Sequence, residues 1–227
     1  LITPSSTTFS IWSVIYTLLL ISVIVMIAKK KDSYYDRAVD QISNLFRISC
    51  LLNIVWIVSF SYVLVELSLL FILGFVITLA LICQKLLKIQ DKKRWLLPLT
   101  FGLYTGWLMI ATVVNAAAAL VKLKWNGFGL TNEVWGIIIL AIAVVLVIFV
   151  LFKTRNASLP LPVAWAYFGI YQYLKAPEGF KGEFGQLQIV ALIGAAILVV
   201  AAAFLFYRNR FSLLPVSNHK KNHHHDK

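Results

Sequence analysis

Acidic residues are scarce in this chain of 227 residues, nine against 21 lysines and arginines, and none of the nine lies deep in an apolar stretch. Lysine, arginine and histidine are missing from those depths too. Proton relays, ion-coupled pumps, voltage sensors and catalysis by a buried acid and base all need ionisable groups there, so these classes are disfavoured and no enzymatic role is expected. A retinal protein would need a Schiff-base lysine in its last helix, and the stretch 186–207 has none. Only two cysteines occur, Cys50 and Cys83, both inside apolar stretches, where small apolar filler is expected and a disulfide framework is not. No repeat of fixed period is visible, which weakens a reading as an inverted-repeat transporter. The net charge of +12 is spread over short clusters with no basic domain to carry it, so nucleic acid is not an expected partner.

What is abundant is apolar sequence: 60% of residues are hydrophobic, with a mean hydropathy of +0.84. It falls into seven runs, 8–28, 45–65, 67–88, 95–121, 133–152, 158–174 and 186–207. Most are near the roughly 20 residues that an α-helix needs to cross the hydrocarbon core. The fold class expected is therefore all-α, a polytopic bundle of about seven transmembrane spans. The first run is long and ends in a basic stop-transfer cluster, Lys29 to Lys31, which marks a span and not a cleaved leader.

The basic residues orient the bundle. Of the 21, all but Lys122, Lys124, Lys175 and Lys181 fall in alternate loops: after the first run, between the third and fourth, between the fifth and sixth, and after the seventh. Positive loops stay in the cytoplasm during insertion, which puts the N-terminus outside and the C-terminus inside. The expected location is a multi-pass one, in a bacterial cytoplasmic membrane. Residues 211–227 form a basic cytoplasmic tail whose histidines, His219 and His223 to His225, are not assigned a metal.

Between runs, Tyr62 to Glu66 is long enough only for a tight hairpin. The segment 122–132 holds Gly127 and Gly129 for turn geometry and Thr131 or Asn132 as a helix cap, and is expected to form an outer cap. The sixth run is the shortest and opens with Pro160 and Pro162, which a first helical turn tolerates. Leu205, Tyr207 and Arg210 form a sterol-type pattern that reads as an interface anchor.

Within the runs, aromatic and amide side chains recur at helical spacing. Trp12 and Tyr16 are four apart, Asn53, Trp56 and Phe60 are spaced by three and four, and Tyr104, Trp107, Ala111 and Asn115 continue one stripe for three turns. Each set shares a helix face. Tryptophans of this kind also form interface belts, and asparagine also glues helices together. Trp107 lies 12 residues beyond Trp95, about 18 Å along a helix, so it is expected near mid-bilayer, away from a belt.

These segments carry a resemblance. Trp12-Ser-Val-Ile-Tyr16-Thr-Leu resembles the W-T-x-x-Y-T-L segment of the TspO/translocator-protein family, the tryptophan-rich sensory proteins. Leu52-Asn53-Ile-Val-Trp56-Ile-Val-Ser-Phe60 is similar to its L-N-x-x-W-x-x-x-F segment, and Pro98 with Tyr104, Trp107, Ala111 and Asn115 to its P-Y-x-x-W-x-x-x-A-x-x-x-N segment. The likeness covers about residues 4–120. Three departures stand out: Ser10 replaces a frequent proline, extra residues separate Pro98 from Tyr104, and the family's first helix with its W-x-P-P loop has no counterpart. The chain thus divides into 1–121, resembling the family, and 122–210, three additional helices like the tail of longer relatives.

The resemblance implies a bundle that binds a planar apolar molecule, a tetrapyrrole or a sterol-like compound, in an aromatic-lined groove, with a sensory or transport role. Carried over position by position, the ligand-binding residues are Trp12, Tyr16, Asn53, Trp56, Tyr104, Trp107, Ala111 and Asn115. No cofactor is required, and porphyrin or haem would be a ligand. The expected partners are the lipid bilayer and an apolar small molecule, with a homodimer left open. Two other readings stand beside this one, a permease not coupled to ions and a membrane assembly subunit.

Overall fold

The computed structural model describes residues 1–29 and 31–216. After a 3-10 turn at Ser6–Ser10 come seven helices: α1 Ile11–Ala28, α2 Ser33–Ser61, α3 Val65–Ile89, α4 Leu96–Lys122, α5 Asn132–Thr154, α6 Pro160–Lys175 and α7 Gly185–Arg208. All except α6 are long and apolar enough to cross a membrane, and no strand is present among the described residues. The protein is an all-α membrane bundle.

Helix ends follow local chemistry. The Asp32 carboxylate accepts from the Tyr34 N–H at 2.9 Å and starts α2. That bond, with Arg94 at 3.2 Å, holds the Asp32 carboxyl below its ordinary value, so the contact is intact at neutral pH and is lost only as pH falls through the lowered value. Thr131 caps α5 by accepting from the Val134 N–H, and Gly127 and Gly129 both take positive φ in the outer loop, as turn geometry there requires. Pro98 lacks the N–H that would reach the Arg94 carbonyl, and the Gln90 side chain donates to that carbonyl instead at 3.1 Å.

One helix departs from the apolar-run boundaries. α2 begins at Ser33, twelve residues before the run at 45, because Tyr34, Tyr35, Ala38 and Ile42 bury one face while Asp36, Arg37 and Asp40 stay exposed without breaking the helix. At 29 residues it is about 44 Å long, more than the hydrocarbon core, and its charged first turns reach beyond. Cys50 lies exposed on its outer surface and only Cys83 is buried, so core filling holds for Cys83 alone.

The basic loops gather at one end. Arg94 pairs with Asp32 and Arg37 with Asp91, joining the α1–α2 and α3–α4 connections, while Asn209 after α7 donates to the Arg155 carbonyl between α5 and α6. At the opposite end Lys122 pairs with Glu66 and donates to the Val63 carbonyl.

α6, at 16 residues, is too short to match its neighbours because its start is sunk into the bundle. Asn156 and Ser158, both fully buried, donate to the Pro98 carbonyl at 2.7 and 3.3 Å. A Cβ on Gly102 would strike these two side chains, and one on Gly106 would strike the Leu159 carbonyl, so glycine is what lets the corner approach α4. The segment after α7 closes over it, with Ala157 N–H donating to the Leu213 carbonyl at 2.9 Å. Beyond α6, Phe180 reaches the wall shared with Trp125 and Trp135 at the opposite end. The chain therefore still passes from one end to the other along α6.

Candidate functional site

α1, α2 and α4 bring their stripes together in two layers. α1 runs toward the basic end, whereas α2 and α4 run away from it, so the tyrosine of α1 meets the asparagine of α2 and the tyrosine of α4. Asn53 donates to the Tyr16 hydroxyl at 3.2 Å and to the Tyr104 hydroxyl at 3.3 Å, tying three helices through one amide. One turn farther from the basic end, Trp12 packs against Trp56 at 6.3 Å and edge-on against Trp107 at 6.1 Å between ring centres. Trp12 also stacks on Tyr16 at 5.3 Å, coupling the layers. Edge-to-face aromatic contacts of this sort add about 0.5–1.5 kcal/mol beyond area burial.

Above the tryptophan layer lies a cavity of about 440 Å³, within the range of small-molecule sites. Its wall includes Phe9, Trp12, Trp56, Phe60 and Trp107, with Ile110, Ala111, Val114 and Ala118 from α4. Thr3 and Pro4 border it from the N-terminal segment. Asn115 is the one amide in the wall, and its side chain donates to the Ser68 hydroxyl at 3.1 Å. Among the described residues, no charged side chain, histidine, cysteine or methionine takes part.

The eight residues expected from the sequence divide between the layers. Trp12, Trp56, Trp107, Ala111 and Asn115 line the cavity, while Tyr16, Asn53 and Tyr104 form the hydrogen-bonded layer beneath and do not line it. Both asparagines face the bundle. Sequence reasoning missed Thr3, Pro4 and Phe9. Phe9 carried a usable signal, three residues before Trp12, and its ring meets Trp107 edge-on at 5.8 Å. Phe60 and Ala118 extend the stripes of Trp56 and Asn115 by one turn.

Two donors in this wall lack acceptors. The indole nitrogens of Trp56 and Trp107 are buried with no hydrogen-bond partner, although Trp107 is only 2% exposed. Buried N–H groups are normally paired, and leaving one unpaired costs about 1–3 kcal/mol.

The N-terminal turn that covers the cavity is held by α6. Ser5 N–H donates to the Gly169 carbonyl, Trp165 Nε1 donates to the Thr8 carbonyl at 3.0 Å, and a Cβ on Gly169 would collide with Thr8. α6 is thus integral to the cavity and not an appendage to it.

No curated protein and no solved structure matches the chain. A family model, described as TSPO-like protein, matches residues 1–204, running past residue 121 through α5 and α6 and most of α7. The chain belongs to the TSPO-like family.

Proposed function

We propose that this TSPO-like membrane protein binds a planar, largely apolar molecule, a tetrapyrrole or a sterol-like compound, in the cavity above Trp12, Trp56 and Trp107, in a sensory or transport role. The observation that carries the reading is an aromatic wall in which two indole N–H groups have no acceptor and no side chain bears a charge. A flat apolar ring gains from burial and offset stacking on such a wall, and a neutral acceptor on it would satisfy the indoles. With no carboxylate, histidine, lysine or cysteine in the wall to move a proton, the reading is of a binding protein and not an enzyme.

The same wall predicts that the iron of a porphyrin should matter little. It offers no histidine, cysteine, methionine or tyrosine as an axial ligand for haem iron, so haem and iron-free protoporphyrin should bind alike, held by the ring. It offers no cation either, so ring carboxylates must remain in water. Titration of the purified protein with each compound, followed by quenching of its own tryptophans, tests this. Saturable quenching with similar affinities supports the reading. Linear, detergent-like partition of both would defeat it, and a strong preference for haem would show an iron ligand outside this wall.

A transport role through a permease not coupled to ions is favoured over an assembly subunit by a cavity of small-molecule size in place of a flat aromatic face. Uptake of the ligand into sealed vesicles, insensitive to ion gradients, is the expected outcome.

A further inference from the structure

At the basic end, remote from the aromatic cavity, the α3–α4 connection and the end of α7 flank an open cleft of about 520 Å³. We propose that it binds the phosphate of an anionic phospholipid headgroup. Four cations border it, Lys92 and Lys93 from one side and Arg208 and Arg210 from the other. Its single carboxylate, Asp91, is engaged by Arg37 at 2.7 Å, and none of the four cations has a carboxylate partner among the described residues. Four like charges around one space repel each other, and a phosphate placed between them turns that repulsion into charge-assisted hydrogen bonds.

The backbone holds the arginine side in an unusual shape. Arg210 and Phe211 adopt φ of 57° and 58°, a region non-glycine residues seldom enter. The turn is kept there by Asn209, whose amide donates to the Arg155 and Leu213 carbonyls at 3.0 and 3.1 Å. The arginines are therefore presented by a fixed turn and not by a frayed helix end.

The source of the phosphate follows from what surrounds the cleft. Trp95, Tyr207 and Phe211, within two residues of the lining segments in the chain, are each more than 60% exposed, the pattern of side chains that sit at headgroup level. Pro215 and Val216 make one wall apolar, which suits the glycerol and upper acyl region of a lipid and not a free anion. Basic pockets between transmembrane helices are a recurrent solution for such headgroups.

The test is a thermal-shift titration of the full chain in neutral detergent with phosphatidylglycerol, phosphatidylcholine or inorganic phosphate. Phosphatidylglycerol should stabilise saturably and phosphatidylcholine should not. Lys93→Gln with Arg210→Gln should weaken the apparent affinity by about tenfold or more, whereas Lys31→Gln with Lys88→Gln, the same charge change outside the cleft, should alter it less than about twofold. If the strained turn makes the first variant unstable, Lys92→Gln with Lys93→Gln removes the same charge from the exposed connection. Equal losses in the cleft and control variants would overturn the proposal in favour of diffuse attraction. Equal or tighter saturation by inorganic phosphate, or no difference between the two lipids, would also overturn it.

Discussion

Trp107 and the two asparagines look alike in sequence, as polar-tipped residues deep in spans, but their partners set them apart. The indole N–H of Trp107 has no acceptor among the described residues, so Trp107→Phe removes no hydrogen bond that folding uses, keeps an aromatic ring and most of the apolar volume, and should leave thermal stability nearly intact. It should weaken a planar ligand by about 0.5–1.5 kcal/mol through the lost donor and narrower ring. Porphyrin binding equal to the parent, or loss of binding in a variant at the remote and exposed Trp95, would count against the cavity. Asn53 is different, because its amide joins three helices through Tyr16 and Tyr104. Asn53→Leu should lower stability, yet only modestly, since interhelical hydrogen bonds in membranes average about 0.6 kcal/mol. Asn115→Leu should cost no more, because the Ser68 hydroxyl keeps its bond to the Val65 carbonyl at 2.8 Å. Melting in detergent checks all three, and a loss of several kcal/mol at either asparagine would show a larger network than the one described.

At the scale of an element, the sunken start of α6 is the feature with the sharpest mutational signature. A Cβ at Gly106 meets a backbone carbonyl, that of Leu159, which no rotamer change can move. At Gly102 it meets the side chains of Ser158 and Asn156, which can rotate if they give up the Pro98 carbonyl. Gly106→Ala should therefore be the more damaging, by about 1–3 kcal/mol as overpacking, with Gly102→Ala below it. Thermal unfolding gives the order, and the reverse order would mean that the corner yields at its backbone. Asn156→Ala should cost about 1–3 kcal/mol by removing one of two side-chain donors at a buried carbonyl and opening a void. α2 teaches a related lesson. Its charged first half hides a buried face at Tyr34, Ala38 and Ile42, spaced four apart, which a search for unbroken apolar runs passes over.

For the whole molecule, the gathering of the basic loops at one end is a structural fact, while their placement in the cytoplasm follows from the positive-inside rule. Labelling with an impermeant thiol reagent tests it, after Cys50, which is exposed, has been changed to alanine. Leu123→Cys should react from outside intact cells and Lys31→Cys should be protected. The opposite pattern would invert the bundle. Leu123 is the better probe in the outer loop, since a side chain at Gly127 would press on Trp135. The family match through residue 204 and the grip of α6 on the cavity's N-terminal cover bear on one question at this scale. If α6 supports the cavity, Gly169→Val should loosen that cover and speed ligand release more than it lowers melting temperature. Unchanged release would separate α6 from the site.

Hydropathy and spacing alone determined the helical membrane class, six of the seven helices near their true limits, and the faces on which Trp12, Trp56, Trp107, Ala111 and Asn115 lie, because a helix in lipid must satisfy its own backbone and its period is fixed. Which stripe residues border the cavity and which lie beneath it depended on the relative height of three helices, and height is set by packing between elements that sequence spacing does not encode. Thr3, Pro4 and Phe9 reach the wall on a segment that α6 holds at Thr8, 157 residues away in the chain. The short sixth run became intelligible only through tertiary structure, where two glycines of α4 leave room for a polar corner and a single helix carbonyl receives both of its side chains.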